Sequence, residues 1–149
     1  MSEPTDLHPT QLRFEYPDLL VKDFQHWSVM LRRHQVTLGS LVLIAKSHAT
    51  AWPDIGTEAF TELATVTAEI EHTLRTAFSH DKINYLMLMM NDPNAHFHVL
   101  PRYEREPTFE GMDFKDEGWP KTPELASGPT LDDDMAKKLL AHLKASWQG

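Results

Sequence analysis

Hydrophobic positions change period several times along this chain, and each change predicts an element. Between Leu19 and Ile44 the pattern is strand-like: Trp27, Val29 and Leu31 alternate against Ser28, Met30 and Arg32, and an apolar run Leu41-Val42-Leu43-Ile44 follows Gly39. Two or three antiparallel strands are expected, with a turn near His34 to Thr37. The run 41–44 is apolar on both faces, as a central strand covered on each side would be. Beyond the punctuation at Trp52, Pro53 and Gly56, apolar residues recur at Phe60, Leu63, Val66 or Thr67, Ile70, Leu74 and Ala77 or Phe78. That spacing predicts one long amphipathic helix, about Thr57 to Phe78, capped by Thr57 with Glu58 in its first turn. Ile83 to Met90 and Ala95 to Leu100 are apolar segments joined by Asn91-Asp92-Pro93-Asn94, which has hairpin chemistry, so two adjacent antiparallel strands are expected. Leu86, Met87, Leu88, Met89 and Met90 are expected to be core material. Leu131, Met135, Leu139, Leu143 and Trp147 mark a C-terminal helix capped by Thr130, with Asp132, Asp133 and Asp134 complementing the positive end of its dipole.

Two stretches carry no period. Residues 1–17 are broken by Pro4, Pro9 and Pro17 and read as an irregular arm. Residues 103–129 hold four prolines and three glycines; a structureless stretch this long is usually functional or part of an interface, and Trp119 within it is a candidate flap over an active site. The chain of 149 residues thus forms one α+β domain: the arm, a core over 27–102, the irregular loop, and a helix over 130–147. The sheet is mainly antiparallel, of about five strands, with the long helix packed on it.

Composition narrows the chemistry. Acidic residues outnumber basic ones 22 to 14, a formal net charge of −8, which argues against a nucleic-acid surface but not against a small anion in a local pocket. Cysteine is absent, removing thiolate nucleophiles, disulfides and cysteine-type metal sites. No apolar run approaches a membrane span and no secretion signal is evident, so a cytoplasmic protein is expected. Histidine is abundant, at nine residues, and two of them stand one residue apart. His26, His34, His72, His80 and His142 read as surface or packing residues, and His48 as a helix-entry residue or a support behind a site.

In an extended segment side chains alternate, so His96 and His98 share one face while Phe97 and Val99 point to the other. Two neighbouring imidazoles can bind a metal, divide nucleophile and acid roles, or rest hydrogen-bonded on a solvent face. A metal would need a further ligand from Asp92 or a carboxylate of the loop.

The string Ala95-His96-Phe97-His98-Val99-Leu100-Pro101-Arg102 resembles the signature strand of the histidine triad (HIT) family, in which three alternating histidines precede two apolar residues and often Pro-Arg. Gly39 to His48, ending Lys46-Ser47-His48, resembles an earlier strand of the same family that also leads into a long helix. The resemblance covers about Trp27 to Arg102. It implies a HIT-like fold, a homodimer, and attack by the middle histidine, here His96, on the α-phosphorus of a nucleoside phosphate derivative. A dinucleoside polyphosphate or nucleoside phosphoramidate is the implied substrate, with no metal or cofactor required. Imidazole suits the task because its unperturbed pKa of ~6.5 leaves it mostly neutral near pH 7. His98 would donate a hydrogen bond to a phosphate oxygen, and it or another residue would protonate the leaving group. Asn91 matches an asparagine often found near phosphate, Arg102 is tied to the motif, and Lys46, Arg32 and Arg33 are further candidates to neutralise phosphate.

Departures from the pattern bear on specificity. Asn94 stands where the first triad histidine is found, and Ser40 where a histidine often follows the glycine. By register from Gly39, Arg32 holds the place of the residue that grips ribose hydroxyls, and a guanidinium cannot copy an acceptor. The segment before the signature strand lacks the family's Gly-rich, Gln- and Ser-containing loop. A nucleotide-binding module with weakened catalysis is therefore the chief alternative to an enzyme.

Overall fold

The computed structural model describes residues 7–147. A five-stranded sheet is built from β1 (Leu20–Asp23), β2 (Trp27–Leu31), β3 (Leu41–Ala45), β4 (Lys82–Leu86) and β5 (His96–Arg102). Its spatial order is β1-β2-β3-β5-β4, every neighbouring pair antiparallel. The expected α+β architecture is present, and β3, the run apolar on both faces, is the central strand with every residue buried.

One face of the sheet carries the long helix α2 (Thr57–Phe78). Trp27 fixes it, its indole donating to the Ala59 carbonyl at 2.8 Å, while Phe97 meets Trp27 and Trp52 with ring centroids 6.2 and 5.0 Å apart. Gly39 is required where the chain enters β3: its φ is +91°, and a Cβ there would press on Phe78 and Leu74 at 3.1 and 3.2 Å. The cap of α2 differs from expectation. Gly56, at φ +111°, occupies it, and Thr57 is already the first helical residue.

Helix α3 (Asp133–Ser146) packs on α2 and β1, and Trp147 donates to Glu69 at 2.7 Å. Asp132 caps α3 by accepting from the Met135 amide at 2.8 Å, where Thr130 was expected. Thr130 is instead bridged to His34, and Leu131 N–H donates to Arg33, so both residues remain extended and the helix starts later.

The described parts of the two aperiodic stretches, 7–17 and 103–129, are more ordered than their sequences indicate, and residues 1–6 of the arm lie outside the described residues. Within the arm, Pro9–Arg13 form a short helix, α1. His8 caps it: Nδ1 accepts from the Gln11 amide at 3.3 Å while Nε2 donates to the Ala45 carbonyl at 2.7 Å. This pins α1 to the sheet face opposite α2. Within 103–129, β6 (Thr108–Phe109) and β7 (Met112–Asp113) make a small hairpin. Part of the rest is held by Arg102, whose guanidinium is buried and bonds Asp116 through Nε and Nη2 at 2.6 and 3.0 Å.

The segment between β4 and β5 departs furthest from expectation. Leu86 pairs with His98, and there the ladder ends. Met89 has φ +54°, which takes the chain out of an extended path; Leu88 is 46% and Met90 84% exposed. Leu88 and Met90 are thus not core, and the connection is longer than the tight turn that Asn91 to Asn94 suggested.

Candidate functional site

His96 and His98 lie on the sheet face opposite α2, cross-strand from Ile44 and Val42. Their rings are 5.1 Å apart and nearly perpendicular, at 84°. The alternation read from the sequence places them together. Both line a cavity of about 160 Å³ shared with Arg32, Arg13, Phe14 and the wall formed by 88–92. Phe14 roofs the pair, with centroids 6.0 Å from His96 and 6.2 Å from His98.

The orientation of His96 is set by the backbone. Its Nδ1 is 2.7 Å from the carbonyl oxygen of Asn94. A carbonyl only accepts, so Nδ1 carries a proton, and in the neutral ring the lone pair is on Nε2. His96 itself is 2% exposed, so its ring is held by packing as well as by this bond.

His98 differs in electrostatics. Burial first, then the Arg32 guanidinium and the His96 ring, push its pKa down to about 4. It is therefore neutral near pH 7, and its Nδ1 is buried without a hydrogen-bond partner. A neutral imidazole can still donate one N–H to an oxygen.

Of the other residues singled out from the sequence, Asn91 and Arg32 line the same cavity. Asn94 is buried, and its side chain faces α1 instead of the cavity. Its Oδ1 accepts from Thr10 Oγ1 at 3.1 Å, its amide donates to that hydroxyl at 3.0 Å, and Nδ2 donates to His48 O at 3.0 Å. Four candidates are placed elsewhere. Arg102 is bound to Asp116, to Asn84 at 2.7 Å and to Lys121 O at 2.9 Å. Ser40 closes a turn by donating to Thr37 O at 2.7 Å. Lys46 bonds Phe24 O and Asp23 beside the outer strand β1. Arg33 pairs with Glu15 and Asp133 at 2.8 and 3.0 Å. Each of these polar groups is occupied by a structural partner outside the histidine cavity.

Sequence reasoning assigns no role to Arg13 and Phe14, which α1 delivers to the cavity, and takes Leu88 and Met90, which lie in its wall, for core. A signal existed: Pro9 in the first turn, with Gln11 three residues after His8, forms a capping box. Histidine is simply not among the usual capping residues. Trp119 lies beside β4, lining a cavity of about 790 Å³ with Lys82 to Leu86 and Arg102, away from the histidines. Among the described residues no group of three or more His, Asp or Glu side chains is arranged to hold a metal, and no helix is long and apolar enough to cross a membrane.

A five-stranded antiparallel sheet with one long helix on one face and paired histidines on the other defines a histidine-triad-like α+β protein. Residues 13–105 match the HIT domain family, and the chain belongs to it. No curated protein matches by sequence. Solved structures agree in fold. A histidine triad protein from Sinorhizobium meliloti is 17% identical with a TM-score of 0.71, over 94% of this chain and 95% of its own. One from Bradyrhizobium japonicum is 16% identical with a TM-score of 0.70, over 95% and 97%. A protein from Sulfolobus tokodaii, described as a hypothetical histidine triad nucleotide-binding protein, is 16% identical with a TM-score of 0.66, over 92% and 88%. HIT proteins as a family are nucleotide-binding hydrolases and transferases.

Proposed function

We propose that the protein is a nucleotide hydrolase or nucleotidyltransferase, a two-histidine variant of its family with Asn94 at the first triad position. It acts at the α-phosphate of a nucleoside phosphate derivative such as a dinucleoside polyphosphate or nucleoside phosphoramidate. The supporting observation is the bond from His96 Nδ1 to the Asn94 carbonyl, which leaves Nε2 as the nucleophilic nitrogen.

In the first step Nε2 attacks phosphorus, a P–N bond forms, and the bond from phosphorus to the leaving group breaks with its electron pair. The leaving group takes a proton from water or from a neighbouring N–H. The ring, now bonded at both nitrogens, carries positive charge, and the Asn94 carbonyl stabilises it. Water then attacks phosphorus, the P–N bond breaks, and the ring returns to its neutral tautomer while the proton of the water leaves to solvent. An acceptor alcohol in place of water makes the same step a transfer. His98 donates an N–H to a non-bridging oxygen in both steps, a role open to a neutral ring.

One observation favours a second reading, nucleotide binding without efficient turnover: with its pKa near 4, His98 is a poor source of a proton for the leaving group at neutral pH. Tight nucleotide binding that survives His96→Ala without product would favour it. The position of β4 as an edge strand supports a homodimer as the working form, and nucleotide chemistry fits a cytoplasmic setting. Mixing protein with substrate, quenching and measuring intact mass tests the leading proposal: a nucleotide adduct is expected on the native chain and not on His96→Ala.

A further inference from the structure

Arg32 is a charged group in this cavity that the proposed reaction leaves without a task. Register places it on the histidine face. Met30 stands opposite Val42, Val42 opposite His98, and the Arg32 amide donates to Ser40 O, so Arg32 lies one step beyond His98 on the side away from His96. Its guanidinium has a fixed direction: Nη1 donates to His34 O at 3.1 Å and to His34 Nδ1 at 3.2 Å. His34 is oriented in turn by donating from Nε2 to Ser127 O at 2.8 Å. Arg32 Nε, by contrast, is buried with no hydrogen-bond partner, as is His98 Nδ1. Buried polar groups in native proteins are nearly always paired, so an orphaned donor calls for an acceptor.

A second guanidinium, Arg13, reaches the same cavity from α1. Its Nε is 3.8 Å from Asp92, the one acidic residue among the described residues lining the cavity. Two cations therefore share a single carboxylate. Guanidinium groups only donate, in a planar fork matched to phosphate and carboxylate, so the group that satisfies both is an anion.

We propose that Arg32 and Arg13 form a second anion subsite, and that the ligand is a nucleotide bearing a further phosphate on its sugar, with one phosphate at His96 and the other at Arg32. The placement of the first phosphate rests on the reaction proposed above. Cavity size agrees with this division. Sites that enclose a drug-sized ligand measure roughly 300–1,000 Å³. About 160 Å³ takes the phosphate-bearing part and leaves the base at the mouth, beside the exposed Met90.

The test is calorimetric titration of the full chain at fixed ionic strength with adenosine 5′-monophosphate, adenosine 2′,5′-bisphosphate and adenosine 3′,5′-bisphosphate. At least one bisphosphate is expected to bind about tenfold or more tightly than the monophosphate, the second charge-assisted contact supplying the difference. Arg32→Gln is expected to bring the ratio to about one, and Arg13→Gln, at an exposed side chain whose loss does not threaten the fold, to reduce it. Arg32→Lys keeps the charge without the fork and should retain part of the preference. Equal or weaker binding of both bisphosphates, no binding of any of the three, or a preference that survives both Arg32→Gln and Arg13→Gln overturns the proposal. Failure at His96 is separable. A preference that depends on Arg32 without any His96 adduct leaves the subsite and removes the reaction, and an adduct without the preference does the reverse.

Discussion

Thr10 and Asn94 are joined three times: the Thr10 hydroxyl and backbone N–H donate to Asn94 Oδ1 at 3.1 and 3.4 Å, and the Asn94 backbone N–H donates to the Thr10 hydroxyl at 3.0 Å. The pair links α1, which carries Arg13 and Phe14 over the cavity, to the residue whose carbonyl orients His96. Asn94 is thus a connector between roof and His96, with its side chain on one and its carbonyl on the other.

Breaking that link leaves buried polar groups unpaired. Thr10→Val is expected to cost about 1–3 kcal/mol in urea unfolding, the range for stranding a buried hydrogen-bond partner. It should also speed proteolytic cleavage within 7–19 while cleavage within 133–146 is unchanged. Unchanged stability and cleavage would mean that Phe14 packing alone holds the arm.

The depressed pKa of His98 sets a pH dependence. Its folded value, about 4, lies below the unfolded ~6.5, so between these values the unfolded chain binds the extra proton. Stability from this residue is fully present above pH ~6.5 and is lost as pH falls toward 4. His98→Asn should flatten that part of the stability curve, measured by denaturant unfolding at intervals from pH 4 to 7. A curve as steep in the variant as in the native chain would assign the effect to other groups, His8 foremost, whose pKa burial also lowers.

Arg102 and Asp116 form a buried pair that ties β5 to the loop. Removing one partner strands the other charge, so Arg102→Leu is expected to destabilise by roughly 3–5 kcal/mol. In the fraction that remains folded, substrate KM should stay within about twofold, since the cavity at the histidines is not lined by Arg102. A KM rising tenfold with little loss of stability would return Arg102 to the site.

The wall residues separate two views of the β4–β5 connection. Met90→Ser is expected to change stability by less than about 0.5 kcal/mol, as surface substitutions do. A core methionine would cost about 2–5 kcal/mol.

Where a residue's environment follows from periodicity, the sequence was informative. Leu41 to Ile44 marked the central strand, the spacing from Phe60 to Phe78 marked α2, and alternation put His96 and His98 on one face. What escaped it depends on partners distant along the chain. Arg102 has motif placement, yet Asp116 and Asn84 decide its role; Met90 is apolar, yet a positive φ at Met89 turns the chain outward. Arg13 and Phe14 were hidden in an arm whose helix, signalled locally only by Pro9 and Gln11, depends on an unusual histidine cap and on the Ala45 carbonyl, a partner distant along the chain.

The central claim is that His96 Nε2 is a nucleophile toward phosphorus. Its most direct test is intact-mass analysis after rapid acid-free quench of the protein with a dinucleoside polyphosphate, on the native chain and on His96→Ala. The account expects a single nucleotide monophosphate adduct, mapped by peptide sequencing to His96 and missing from the variant. No adduct on the native chain together with product release, or an adduct that persists in His96→Ala, would contradict it.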